Sequence, residues 1–97
     1  MLFALICTDK PGKLQVRTDV RPEHLVFLDG LNTENKLAFA GPFLDAEGKA
    51  NGSLVVIDAP DMAAAEALAA NDPYAKAGLF ERVEIRQWNW GINKPAG

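Results

Sequence analysis

The sequence is short of the residues that staple small proteins together. It holds one cysteine, so no disulfide can form within the chain. A structural zinc takes about four Cys/His ligands, and one cysteine plus one histidine falls short of that. A His-rich metal site is excluded, and only an all-carboxylate site stays open. No apolar run approaches the ~18 residues of a membrane-spanning helix. No basic block exists either. Residues 1–48 carry 5 basic and 7 acidic side chains, and residues 49–97 carry 5 and 6. A net charge of −3 spread this evenly argues against nucleic acid as a partner. Gly48 and Gly52 are loosely spaced in a charged loop. With no G-x-G-x-x-G and no Walker-type lysine, nothing asks for a nucleotide or another cofactor. Met1–Cys7 is apolar, but it has no basic leader and Asp9 and Lys10 follow at once. It reads as the first strand of a cytoplasmic protein, too short for a signal peptide.

What is present is ordinary globular material, 97 residues at 48% apolar and 24% charged. That length suits one domain over residues 1–97, with 91–97 as a frayed tail. Leu2–Thr8 is continuously apolar and bounded by Asp9-Lys10-Pro11-Gly12, which predicts a strand buried on both faces. Lys13–Val20 is polar and reads as a connection. A helix opens near Arg21-Pro22, where proline suits a first turn, with Asp19 as its cap. Leu25, Leu28 and Leu31 form its apolar stripe, and it ends near Asn35-Lys36. Leu37–Ala40 predicts a short strand stopped by Gly41-Pro42. Residues 43–52 read as a loop, and β-branched Ser53–Ile57 as a third strand hairpinned to the second. Asp61 caps a helix over Met62–Ala70. Asn71-Asp72-Pro73 breaks it, a short turn runs to Gly78, and Phe80–Trp90 is the last strand.

The order β-α-β-β-α-β predicts an α+β, ferredoxin-like fold with a four-stranded antiparallel sheet. Two helices cover one sheet face only. The first strand is apolar at consecutive positions, so its second face needs cover that a chain of this length does not supply. A homodimer with the sheets packed face to face is expected. Trp88 and Trp90, at period two on the last strand, close that interface or cover the end of the sheet. They could also stack a ring-shaped ligand.

His24 is the one side chain whose ordinary titration falls near neutral pH. Its spacing to Leu28 and Leu31 puts it on the core-facing stripe of the first helix. It reads either as a half-buried structural histidine or as an acid/base. Asp72 reads as a turn residue capping the short turn after Pro73. Arg17, just before the helix, is suited to binding an anionic substrate. Ser53, the only serine, opens the third strand and could donate to a substrate oxygen. Asp9 follows the first strand and could reach the same end of the sheet, although it also fits as a turn-former. Cys7, at the end of an apolar strand, reads as a small core residue.

Several stretches, in order and at matching intervals, resemble the YCII-related (YciI-like) family: Arg21-Pro22-Glu23-His24-Leu25, Ala40-Gly41-Pro42-Phe43, Gly52-Ser53, Asp72-Pro73-Tyr74, Ala77-Gly78-Leu79-Phe80 and Val83–Trp88. Where that family has Arg-Pro-Trp near its end, this chain has Arg86-Gln87-Trp88. The resemblance implies a ferredoxin-like fold that dimerises into an α+β barrel. It also implies a pocket lined by a histidine–aspartate pair, carried onto His24 and Asp72. One enzyme of that kind is a dehydrochlorinase of a chlorinated hydroxyhydroquinone. If the two side chains meet, the carboxylate fixes the imidazole tautomer and leaves the other ring nitrogen to move a proton. An isomerase or lyase needs that much. A nucleophilic triad would need a serine or cysteine beside His24. The resulting expectation is a lyase- or isomerase-type enzyme acting on a small metabolite, with Arg17, Ser53 and Asp9 as substrate-binding residues. The alternatives are a ligand-binding or accessory module without catalysis, and a purely structural oligomerisation domain.

Overall fold

A computed structural model describes residues 1–96. The elements run β1 (Leu2–Asp9), α1 (Leu14–Thr33), β2 (Leu37–Leu44), β3 (Ala50–Asp58), α2 (Met62–Ala70), α3 (Pro73–Lys76) and β4 (Phe80–Trp88). The four strands form one antiparallel sheet in the order β2-β3-β1-β4. This is the α+β, ferredoxin-like arrangement expected from the element order. The helices lie on one face. There Phe3, Leu5 and Cys7 of β1 and Val55 and Ile57 of β3 pack with Leu31 of α1 and Ala65 of α2.

Helix α1 differs most from expectation. It begins at Leu14, so residues read as a connection form its first two turns, and Pro22 lies inside it. A proline there removes one ladder hydrogen bond and crowds the preceding turn, at a cost of about 3 kcal/mol. Hydrophobic periodicity does not reveal the early turns because the residues facing inward are polar. The buried positions of α1 are Arg17, His24 and Leu31, seven residues apart along one stripe. Asp19 is not a cap; its carboxylate accepts from Gln15 Nε2 at 2.8 Å within the helix. Asn35, in the left-handed region at φ 59°, ends α1, and Lys36 N–H returns to the Leu31 carbonyl at 2.8 Å.

Strand β2 also runs further than Gly41-Pro42. It is an edge strand, where a missing N–H is tolerated. The hairpin loop shrinks accordingly to residues 45–49, and Asp45 Oδ1 accepts from Glu47 N–H and Lys49 N–H. The last strand stops at Trp88, two residues short of expectation. Asp61 caps α2 as expected, accepting from Ala64 N–H at 2.8 Å.

Alternation leaves Leu2, Ala4 and Ile6 of β1 on the helix-free face, beside Val56 and Leu54 of β3. Phe39 pairs with Val56 and Trp88 with Leu2 at one end of that face. The Trp90 ring meets Phe39 at 5.0 Å and Trp88 at 5.6 Å between centroids. On β4 the same face carries Arg82, Glu84 and Arg86, paired with Thr8, Ile6 and Ala4.

Candidate active site

A cavity of about 350 Å³ opens between α1 and the inner side of the β2–β3 edge. That is the lower end of the ~300–1,000 Å³ range of small-molecule sites. Its helix wall is built from positions three and four apart on α1: Leu14, Arg17, Thr18, Arg21, His24, Leu25 and Leu28. Its floor is Ser53 and Val55 of β3, and Ala40, Gly41 and Pro42 of β2 form one rim. The helical turns that look like a polar linker are thus a wall of the pocket, and they bring Arg17, Thr18 and Arg21 to it.

His24 and Asp72 meet. His24 Nδ1 lies 2.9 Å from Asp72 Oδ1, and both side chains are only 8% exposed. The Asp-Pro sequence explains how the carboxylate gets there. Pro73 stops α2 from continuing and starts α3, and Asp72 becomes the N-cap of that short helix. Its Oδ1 also accepts the Tyr74 N–H at 2.9 Å. One oxygen therefore caps a helix and holds the imidazole. A capping carboxylate requires Nδ1 to carry the proton when the ring is neutral, which leaves Nε2 as the free base. Nε2 makes no hydrogen bond among the described residues. Since no buried side-chain nitrogen or oxygen there lacks a partner, it opens on the cavity that His24 lines.

Tyr74 completes the dyad's surroundings. Its ring stacks on the imidazole at 4.0 Å with an 18° tilt, so His24 is fixed by a hydrogen bond at its edge and an aromatic face beside it. The Arg17 guanidinium lies 4.6 Å from the same ring's centroid. Burial pushes the Tyr74 phenol above its ordinary range; the charges of Arg17 and Arg21 work against that shift but do not cancel it. Tyr74 is neutral at physiological pH and available as a donor. Tyr74 was not among the candidate residues of the sequence. Its signal was its place two residues after Asp72, on the turn whose first residue faces the histidine.

Arg17, Asp9 and Ser53 also come together. Arg17 Nε and the Nη2 nitrogen donate to the two Asp9 oxygens at 2.7 and 2.8 Å, and Nη2 donates to Ser53 Oγ at 2.9 Å. Burial works against the Arg17 charge, but the hydrogen bond and charge of Asp9 outweigh it and hold the guanidinium firmly protonated. Asp9 sits behind Arg17, while Arg17 and Ser53 line the cavity. Gly52 makes the approach of β3 to β1 here possible: a Cβ at that position would stand 2.5 Å from the Cys7 carbonyl oxygen. Cys7 is buried on the core side. Burial, aided by the negative charge of Asp72, pushes its thiol up to about 12. It is a packing residue, not a nucleophile. No group of three or more His, Cys, Asp or Glu side chains that could hold a metal ion occurs among the described residues.

A family model described as the YCII-related domain matches residues 1–89. The protein YciI of Escherichia coli O6:H1 is 38% identical over 92 residues, spanning 89% of this chain and 94% of its own. An uncharacterized protein of Haemophilus influenzae is 35% identical over the same shares. Among solved structures, 5-chloro-2-hydroxyhydroquinone dehydrochlorinase (TftG) of Burkholderia phenoliruptrix AC1100, in complex with 2,5-dihydroxybenzoquinone, superposes with a TM-score of 0.84. It is 34% identical and covers 92% of this chain and 94% of its own.

Proposed function

The chain belongs to the YCII-related family, and on that premise we propose that it is a small-molecule enzyme of lyase or isomerase type, with His24 as its acid/base. The observation that carries this reading is the 2.9 Å contact of His24 Nδ1 with Asp72, which leaves Nε2 facing the cavity. Nε2 takes a proton from a carbon or oxygen of the substrate. In an isomerisation it returns that proton to another atom of the same molecule. In an elimination the leaving group departs with its electron pair, and the imidazolium then releases the proton to water. Asp72 is the orienting carboxylate and stabilises the imidazolium while it exists. Arg17 on the helix wall, braced by Asp9, and Ser53 on the floor present N–H and O–H groups to substrate oxygens. The dehydrochlorinase and its bound 2,5-dihydroxybenzoquinone support a substrate that is a single oxygenated ring.

The working form in this reading is a homodimer. The apolar rows of β1 and β3 opposite the helices, with Phe39 and Trp88 at one end, pack against the same face of a second copy, and Arg82, Glu84 and Arg86 supply both signs of charge across a two-fold axis. Sedimentation at micromolar concentration gives twice the chain mass of 10.5 kDa on this reading, and a monomer overturns it.

The double duty of Asp72 favours a second reading, a ligand-binding module in which the His24 contact only braces α3. His24→Gln separates the two. Turnover of a chlorinated hydroxyhydroquinone, followed by chloride release, falls by about 10²–10⁴-fold if His24 is the acid/base. If wild type and variant are equally inactive while both bind 2,5-dihydroxybenzoquinone, the binding-module reading stands and catalysis fails.

A further inference from the structure

Three cationic or cationisable side chains of α1, Arg17, Arg21 and His24, line one cavity. Two have a carboxylate at hydrogen-bond distance, Asp9 for Arg17 and Asp72 for His24. Arg21 is exposed and makes no ion pair or side-chain hydrogen bond among the described residues. No acidic side chain lines the cavity at all. The two that serve it, Asp9 and Asp72, lie behind Arg17 and His24 and are not among the lining residues. Arg21 is therefore the one cationic group lining the cavity with no carboxylate at hydrogen-bond distance among the described residues, and it is positive at every physiological pH. That charge reaches inward, where it is one of the influences on the Tyr74 phenol.

We propose that Arg21 is the specificity-determining residue of this pocket: its guanidinium takes an anionic oxygen of the substrate, a phenolate, enolate or carboxylate, and so seats the adjoining atom at His24 Nε2. Arg21 and His24 are three residues apart on α1, neighbours whose Cβ atoms stand about 5–6 Å apart on a helix. One substituted ring can present an oxygen to the first and a reacting atom to the second. Arg17 is less suited to that task because Asp9 already occupies its fork on two nitrogens. An anion on Arg21 sits in a half-open pocket with apolar walls at Leu14, Leu25 and Leu28, where its pairing is screened less than at a flat surface. The inference rests on the reading that this cavity is where the substrate binds.

The test is equilibrium binding of two probes to the full chain. One is 2,5-dihydroxybenzoquinone, a vinylogous acid ionised at neutral pH, and the other is its neutral dimethyl ether. Wild type binds the anion more tightly. In Arg21→Gln the affinity for the anion falls by about 10–100-fold, the strength of one hydrogen-bonded charge contact, while the affinity for the ether stays within about 2-fold. Arg21→Lys recovers part of the loss, and added salt weakens the anion alone. His24→Gln keeps the preference for the anion while losing turnover, which separates the reader of charge from the proton carrier. An unchanged preference in Arg21→Gln overturns the role of Arg21 and leaves the proposed chemistry standing. If neither probe binds wild type, the reading of the cavity falls, and the inference falls with it.

Discussion

The two duties of the Asp72 Oδ1 atom can be pulled apart by substitution. Asp72→Asn keeps an oxygen in place for the Tyr74 N–H at 2.9 Å and for His24 Nδ1–H, but removes the negative charge. Asp72→Ala removes the oxygen as well. The alanine variant loses an N-cap, about 0.5–2 kcal/mol, and a buried hydrogen bond to a charged group, about 1.5–3 kcal/mol. Its expected destabilisation is roughly 2–5 kcal/mol. The asparagine variant retains the cap and a neutral hydrogen bond, so its cost is about 1–2 kcal/mol. Activity divides differently. Both variants lose the charge that stabilises an imidazolium, so both fall by about 10²-fold or more in kcat/KM. Urea titration gives the stability changes, and chloride release from a chlorinated hydroxyhydroquinone gives the activities. The diagnostic pattern is an asparagine variant that stays folded and is nearly as slow as the alanine one. An asparagine variant within about 3-fold of wild type refutes the reasoning, because Asp72 would then be a cap that happens to touch a histidine.

Other consequences follow from particular contacts. Gly52→Ala places a Cβ 2.5 Å from the Cys7 carbonyl oxygen, so β3 must shift at a cost of about 1–3 kcal/mol, and thermal unfolding drops by roughly 4–8 °C per kcal/mol; an unchanged Tm would mean that the strands separate freely there. Asp9→Asn leaves a buried Arg17 short of its counter-charge and costs about 3–5 kcal/mol, much of which Asp9→Asn with Arg17→Met recovers in a urea titration. Cys7 resists alkylation at pH 8 in the native protein and reacts in denaturant, since its folded thiol ionises only near 12 against an ordinary value of 9.0. Between those values the unfolded chain binds fewer protons than the folded one, so stability falls as pH rises, by up to about 1.4 kcal/mol per pH unit, and Cys7→Ala flattens that slope.

The sheet and the site were legible to different degrees, for physical reasons. Continuous apolar runs revealed β1 and the middle of β3, because those strands are covered on the helix side and half-covered on the other. Helix propensity and an aspartate revealed α2. The first turns of α1 were hidden because their buried position is an arginine and so breaks the apolar stripe, and Arg17 consequently read as a linker residue when it is one of the buried positions of the helix. Of the site, His24 stood out by its rarity and its spacing to Leu28 and Leu31. The meeting of His24 with Asp72 bridges 48 residues of sequence and depends on how α3 packs against α1, a placement that residue spacing alone does not encode. Pairing Arg17 with Asp9 needed the same tertiary knowledge. Tyr74 is not distinguished by its sequence context, because a tyrosine after an Asp-Pro turn looks like ordinary core.

The most direct test of the central claim, that this cavity presents His24 to a small oxygenated substrate, is a crystal structure of the protein soaked with 2,5-dihydroxybenzoquinone. The ring should lie between α1 and the β2–β3 edge, with one of its atoms about 3 Å from His24 Nε2. A ring bound elsewhere, such as against Trp88 and Trp90, with His24 Nε2 facing only water, would contradict it.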